Sequence, residues 1–87
     1  MLFNEDIGDL QLAEDKSLDF VRIGENVSRI GVKAFYKCPN LYAIRILPGE
    51  TPIKISLDFV KDCKNLVDIT IERKVIFYKQ IKIRRKV

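Results

Sequence analysis

The sequence predicts an α/β solenoid, in which short parallel strands and helical turns repeat along the chain. Two observations indicate this fold. One apolar pattern begins at residues 18, 41 and 66, with spacings of 23 and 25 residues, and comprises Leu18, Val21, Ile23, Leu41, Ile44, Ile46, Leu66, Ile69 and Ile71. Other residues recur in the same phase: Ile7-Gly8 with Ile30-Gly31, and Cys38-Pro39-Asn40-Leu41 with Cys63-Lys64-Asn65-Leu66. Periods of about 20–50 residues are typical of solenoids.

The first half of the chain is assigned from these positions. Residues 1–17 are predicted to form a partial N-terminal coil without a capping helix, so strand 18–23 should begin the main sheet with an unpaired edge. Residues 27–30 are predicted to form a minor strand on the opposite wall. The apolar spacing over residues 33–37 predicts a helical turn, which Pro39 should end because proline disfavours helical geometry at the preceding residue.

The second half repeats this order. Strand 41–46 is predicted to be the middle strand of the main sheet, and loop 47–52 holds the two extra residues of the longer period. Two prolines and one glycine make this loop a rigid surface turn. Ile53 and Ile55 resume the minor strand, and residues 57–63 are predicted to form the second helical turn. Phe35, in the middle repeat, should be the most costly core position to truncate.

Beyond the repeat region, residues 18–71, the pattern changes. Residues 72–87 alternate at Ile76 and Tyr78 and again at Ile81 and Ile83, which predicts one or two C-terminal capping strands with a basic tail. All 87 residues are therefore predicted to form a single domain.

The most regular repeat, IGVKAFYKCPNLYAIRI at residues 30–46, resembles the BspA-type leucine-rich repeat, whose units carry Ile-Gly, Ala-Phe, Cys and Asn-Leu before the strand. Residues 55–71 match more loosely, with Ser56 in place of glycine, and residues 7–23 match in a degenerate form. The resemblance implies a leucine-rich-repeat-like, right-handed β-solenoid that binds proteins and has no active site of its own. It implies no particular ligand, because the motif residues are core residues.

Catalytic and metal-binding chemistry is poorly represented. The chain has no histidine, and its two cysteines, at positions 38 and 63, match no zinc-ligand spacing. No phosphate-binding glycine motif is present. An enzyme, a metal site and a cofactor are therefore not expected. Cys38 and Cys63 should stack in adjacent coils at a distance that would permit a disulfide, but we predict two free, buried thiols because cysteine often serves as a small apolar residue.

The predicted binding surface follows from strand alternation. Residues between the core positions of each strand should face the concave side of the sheet. Aromatic residues and arginine are enriched in binding hot spots, so this face is predicted to bind a protein partner, with the chain acting as a small inhibitor or adaptor. The residues concerned are Phe20, Arg22, Tyr42, Ala43, Arg45, Leu47, Asp68, Thr70 and Glu72. An ordinary solvated sheet face would have the same alternation.

The charge distribution leaves other functions open. Nucleic-acid or polyanion binding could use the basic C-terminal residues Lys79, Lys82, Arg84, Arg85 and Lys86, which also fit a role in protecting the last sheet edge. A purely structural role within a longer repeat array is a further alternative. Residues 1–16 carry a net charge of −4, from five acidic residues and one lysine, and residues 72–87 carry +6, from seven basic residues and one glutamate. These opposite charges favour weak head-to-tail self-association, which a charged last edge would oppose.

The sequence contains no apolar run long enough for a membrane span and no pattern of a secretory signal peptide. A cytoplasmic location is expected if Met1 is the natural start.

Overall fold

The computed structural model describes residues 1–79, which form a β-solenoid of about three turns. Its seven strands are β1 (Leu2–Phe3), β2 (Phe20–Ile23), β3 (Arg29–Ile30), β4 (Ala43–Ile46), β5 (Ile53–Ser56), β6 (Asp68–Ile71) and β7 (Val75–Tyr78). The main sheet has the order β1-β2-β4-β6 and the second sheet has the order β3-β5-β7, and every pairing is parallel. Coils 1, 2 and 3 denote residues 7–23, 30–46 and 55–71.

The strand register confirms the repeat that the sequence predicts. In the main sheet, Val21 pairs with Ile44 and Ile44 with Ile69, which are the spacings of 23 and 25 residues. In the second sheet, Ile30 pairs with Ile55, and a bridge joins Ile7 to Ile30. Equivalent residues of successive coils therefore stack directly above one another.

The core lies between the two sheets and the turns that connect them. Strand alternation turns one side chain in two inward, so the main sheet contributes a column of buried aliphatic residues and the second sheet contributes another. The fully buried members are Val21, Ile23, Ile44 and Ile46 from the main sheet and Ile30, Ile53 and Ile55 from the second sheet. Phe35 is the largest fully buried side chain, and its ring packs edge-to-face on Phe3 with centroids 6.3 Å apart.

The predicted helical turns are wrong, because residues 1–79 contain no helix. Residues 8–15, 31–38 and 56–63 instead form consecutive β-turns, which together we call the turn ladder. In residues 31–38, the N–H groups of Ala34 and Tyr36 donate to carbonyls three residues back, at 3.3 and 3.0 Å. The intervening N–H groups of Phe35 and Lys37 donate to carbonyls of coil 3, at 2.8 and 3.0 Å.

Left-handed backbone geometry makes this alternation feasible. Leu10, Glu14, Lys33, Lys37 and Asp62 all have φ between 51° and 60°. Such residues turn successive N–H groups in different directions, whereas a helix would keep every N–H within its own segment. The turn ladder therefore joins neighbouring coils by hydrogen bonds in the same way as the two sheets do.

The prediction of an unpaired edge at the first strand is also wrong. Leu2 pairs with Arg22 and Phe3 with Ile23, so β1 covers the outer edge of β2. A strand of two residues is too short to produce an alternating pattern in the sequence, which is why the prediction missed it.

The recurring cysteine and asparagine have a common structural role. The Cys38 thiol donates to the Leu12 carbonyl at 3.1 Å, and the Cys63 thiol to the Phe35 carbonyl at 2.9 Å. The Asn40 and Asn65 amides donate to the carbonyls of residues 16 and 39, at 2.8 and 2.6 Å. Each side chain thus satisfies a carbonyl of the preceding coil. Both cysteines are free and buried, as predicted, and burial raises the pKa of both thiols.

The glycine of the repeat is required by close contact between coils. A Cβ atom at Gly31 would lie 2.5 Å from the Asp9 backbone nitrogen and 2.7 Å from the Gly8 carbonyl carbon. No side chain fits at that distance without displacing coil 1.

Arg73 joins two loops that are distant from it in sequence. Its guanidinium donates to the carbonyls of Gly24 at 2.9 Å, Val27 at 2.8 Å, Glu25 at 3.0 Å and Thr51 at 3.3 Å. One guanidinium thereby satisfies four carbonyls in the loops that follow coil 1 and coil 2.

Candidate protein-binding surface

The outer side of the main sheet carries the residues that the sequence singles out. The register aligns Phe20 with Ala43 and Asp68 in one row, and Arg22 with Arg45 and Thr70 in the next, as predicted. On β2 and β4 these side chains alternate with buried aliphatic residues, and on β6 they alternate with Ile69 and Ile71, which occupy the equivalent positions, so all of them lie on the face opposite the core. Their assignment to partner binding stays a prediction.

An aromatic pair is formed by Phe20 of the first row and Tyr42, which directly precedes β4. The rings of Phe20 and Tyr42 lie with centroids 6.3 Å apart and planes inclined at 32°. Tyr42 is 48% exposed and Phe20 is half-buried, so together they present an apolar surface with a phenol group. Ala43 differs from the prediction, because it is only 8% exposed and offers little surface for contact. Its small side chain lies in its row between the larger residues Phe20 and Asp68.

The second row is dominated by two exposed arginines on adjacent strands. Arg22 and Arg45 are direct cross-strand neighbours, an arrangement in which like charges repel. The Arg45 guanidinium forms an ion pair with Glu72, and the hydrogen bond between them raises the pKa of Arg45 and lowers the pKa of Glu72. Within residues 1–79, Arg22 has no ion-pair partner. The positive charge available to a ligand on this face is therefore concentrated at Arg22.

The remaining predicted residues lie at the margins of the face. Asp68 accepts a hydrogen bond from the Thr70 hydroxyl at 3.2 Å. Leu47 is half-buried and lines a depression of about 340 Å³ together with Leu2 and Pro48. The face thus combines an aromatic pair, an arginine without an ion-pair partner in residues 1–79 and a polar rim, residue types that are common at protein–protein interfaces.

The basic C-terminal residues cannot be placed on this surface. Lys79 is exposed directly after β7, whereas Lys82, Arg84, Arg85 and Lys86 lie outside the described residues, as does the predicted alternation at Ile81 and Ile83.

The turn ladder carries a cationic group that the sequence analysis did not single out. The ammonium groups of Lys33 and Lys37 lie 5.3 and 5.2 Å from the centroid of the Tyr36 ring. Both lysines have left-handed φ. A helical turn would also bring residues three apart, such as Lys33 and Tyr36, to one face, so their spacing is a signal that could have indicated this cluster.

Across residues 1–79, no group of three or more Cys, Asp or Glu side chains is arranged to hold a metal ion. In the same part of the chain, no helix is of the length and apolarity needed to cross a membrane.

Comparisons of the chain with protein-family models, with curated proteins and with solved structures find no match. The BspA-type resemblance therefore rests on the motif residues alone and stays a prediction.

Proposed function

We propose that this chain is a protein-binding module: a minimal, right-handed solenoid of the BspA-type leucine-rich-repeat kind, which docks a protein partner on the concave outer face of its main sheet. One observation carries the proposal. The Phe20–Tyr42 ring pair lies on this face beside Arg22, a cation without an ion-pair partner among the described residues.

Aromatic rings and arginine are the residue types that most often dominate binding energy at protein interfaces. The parallel strands hold these side chains on a rigid base, because β2, which carries Phe20 and Arg22, is paired with β1 on one side and with β4 on the other. A preorganised surface loses less conformational entropy on binding than a flexible loop does. The chemistry favours a partner segment with an apolar side chain for the rings and a carboxylate for Arg22.

The repeat motif itself has a structural role. Its glycine, cysteine and asparagine make contacts between coils, and no described contact directs them to a ligand. Residues that are free to contact a ligand are the outward residues of the strands.

The test compares proteins captured from a lysate of the source organism by the tagged wild-type chain and by two variants, Phe20→Ala and Arg22→Glu. Arg22 is preferred to Arg45 because the latter is held by Glu72. Lys54→Glu is the matched control, since Lys54 is an exposed cation on the second sheet. A genuine partner should be captured by the wild type and by the control, and lost with both sheet variants.

The captured protein is then purified and titrated against each variant. Loss of one hot-spot side chain should weaken its affinity by about 1–3 kcal/mol, or roughly 5- to 150-fold. Unchanged affinity with both sheet variants would contradict the proposal. Binding that ignores these variants but weakens steeply with salt would instead support polyanion binding by the basic C-terminal segment.

A further inference from the structure

The C-terminal end of the solenoid exposes residues of a type that the coils before it bury. Ile69 and Ile71 are 38% and 44% exposed, whereas Ile44 and Ile46, their partners on β4, are fully buried. Phe77 on β7 is likewise 47% exposed, although it pairs with fully buried Ile55. These side chains lie at core positions of the repeat, and within residues 1–79 no strand pairs with the outer edge of β6.

An open edge of this kind is a template for a further strand. It offers unpaired backbone groups together with apolar side chains, and proteins usually cover or charge such edges. The occupant that fits must supply a parallel strand with an apolar side chain in register with Ile71, a core position.

The N-terminal end of the same molecule has such a strand. β1 pairs on one side with β2 and leaves its other edge free within the described residues. Leu2 on this strand is 44% exposed and is followed by half-buried Phe3. Because Leu2 pairs with Arg22 and Phe3 with Ile23, the solenoid register would align Leu2 of a second copy with Thr70 and Phe3 with Ile71.

The two sheets are staggered in a way that suits this contact. The main sheet begins at β1, one strand before the Ile7 bridge of the second sheet, and the second sheet ends at β7, one strand after β6. A second copy that continues the main sheet through its β1 would thus bring its Ile7 segment to the edge of β7 that has no paired strand within residues 1–79. The same contact would cover the exposed side of β7 and the apolar side chains at the C-terminal end of the core.

Charge complementarity favours a second copy over an unrelated strand. Residues 1–16 carry a net charge of −4, and the described C-terminal residues 72–79 carry +2, from Arg73, Lys74 and Lys79 against Glu72. Lys74 and Lys79, on either side of β7, are exposed, as is Glu5 beside β1. Two copies placed head to tail bring these opposite charges together, whereas copies placed tail to tail would oppose like charges.

We propose that the β6–β7 end of one molecule binds the β1 end of a second copy by parallel strand addition. The contact joins two different surfaces, so it is heterologous and leaves a free site at each end of the pair. This inference is independent of the proposed binding on the outer face of the main sheet.

Heterologous contact allows a complementation test by sedimentation velocity over a range of protein concentrations. Ile71→Lys blocks the C-terminal surface and Leu2→Lys blocks the N-terminal surface, since a lysine at an edge opposes strand addition. Each variant alone should sediment as a monomer where the wild type associates. An equimolar mixture of the two should form a dimer and nothing larger, because each supplies the surface that the other lacks.

Tyr42→Lys is the matched control, since Tyr42 is 48% exposed but lies on the outer face between the two ends. It should associate like the wild type, even if the partner-binding proposal is correct. Association of the wild type should also strengthen at low ionic strength, because exposed charges are screened over about 10 Å at 0.1 M salt and about 30 Å at 0.01 M.

A wild type that stays monomeric at high concentration and low salt would overturn the proposal. So would an Ile71→Lys and Leu2→Lys mixture without dimers when both variants retain the wild-type circular dichroism spectrum.

Discussion

The Phe35→Ala substitution tests the packing of the solenoid at its centre. The ring is fully buried and packs edge-to-face on Phe3, and the Phe35 backbone N–H is bonded to the coil 3 carbonyl of Phe59 at 2.8 Å. Coils on both sides are therefore held in place, and the cavity left by the ring has little freedom to collapse. Truncations of this type cost about 3–5 kcal/mol.

The total stability sets the scale of the effect. At about 0.05–0.15 kcal/mol per residue, a chain of this length should unfold with roughly 4–13 kcal/mol. The substitution should thus remove a large part of the stability, and in the lower part of that range it should unfold the protein. Urea denaturation followed by circular dichroism measures the difference in the free energy of unfolding between the wild type and the variant. An unchanged denaturant slope would show that the two unfolded states match.

Phe77→Ala is the matched control, because that ring is 47% exposed at the end of the solenoid and its removal creates no enclosed cavity. It should cost clearly less than Phe35→Ala in the same assay. Equal losses for the two rings, or a loss below about 1 kcal/mol for Phe35→Ala, would refute the assignment of Phe35 to a closed core.

Three further substitutions probe contacts between coils. Gly31→Ala should destabilise the protein by about 1–3 kcal/mol in urea denaturation, since its Cβ would overlap the backbone of coil 1, whereas Gly8→Ala, whose Cβ meets only a side-chain oxygen at 3.4 Å, should cost less. Arg73→Lys should speed amide hydrogen exchange in the bends whose carbonyls the guanidinium satisfies, because an ammonium has three donors and no planar fork; unchanged exchange would contradict this role. The backbone N–H of Ser28 lowers the pKa of the Asp6 carboxyl, so this group stabilises the fold above its unfolded pKa of about 4 and loses that effect as pH falls through the lower folded value. Asp6→Asn should therefore flatten the acid side of a stability–pH profile, and an unaltered profile would exclude Asp6 as a contributor.

The strand register could be predicted because stacked coils repeat their buried positions. Val21, Ile44 and Ile69 occur at the spacing that the sheet later shows, and this pairing keeps all three on the core side. A shift of one residue would turn every one of them to solvent. The outward rows follow from the same constraint, so the positions of Phe20 and Arg22 were also accessible from sequence.

The turn ladder could not be predicted from the same pattern. Ala34, Phe35 and Cys38 bring their side chains to one side both in a helical turn and in consecutive β-turns. The two conformations differ in the acceptors of their N–H groups. In the β-turns, some of these acceptors are carbonyls of a coil more than 20 residues away in sequence. The Arg73 contacts were inaccessible for the same reason, since its acceptors at Gly24 and Val27 lie 49 and 46 residues earlier.

The contacts between coils also determine which residues could give specificity for a binding partner. Gly31, Cys38 and Asn40 each meet the backbone of a neighbouring coil, so a repeat match predicts stacking and says nothing about a ligand. The outward positions behave differently. One row changes from Phe20 to Ala43 to Asp68 across three stacked coils, which no stacking requirement explains. A face whose chemistry varies along a regular scaffold can distinguish partners, and the residues that break the repeat are therefore the ones to mutate first.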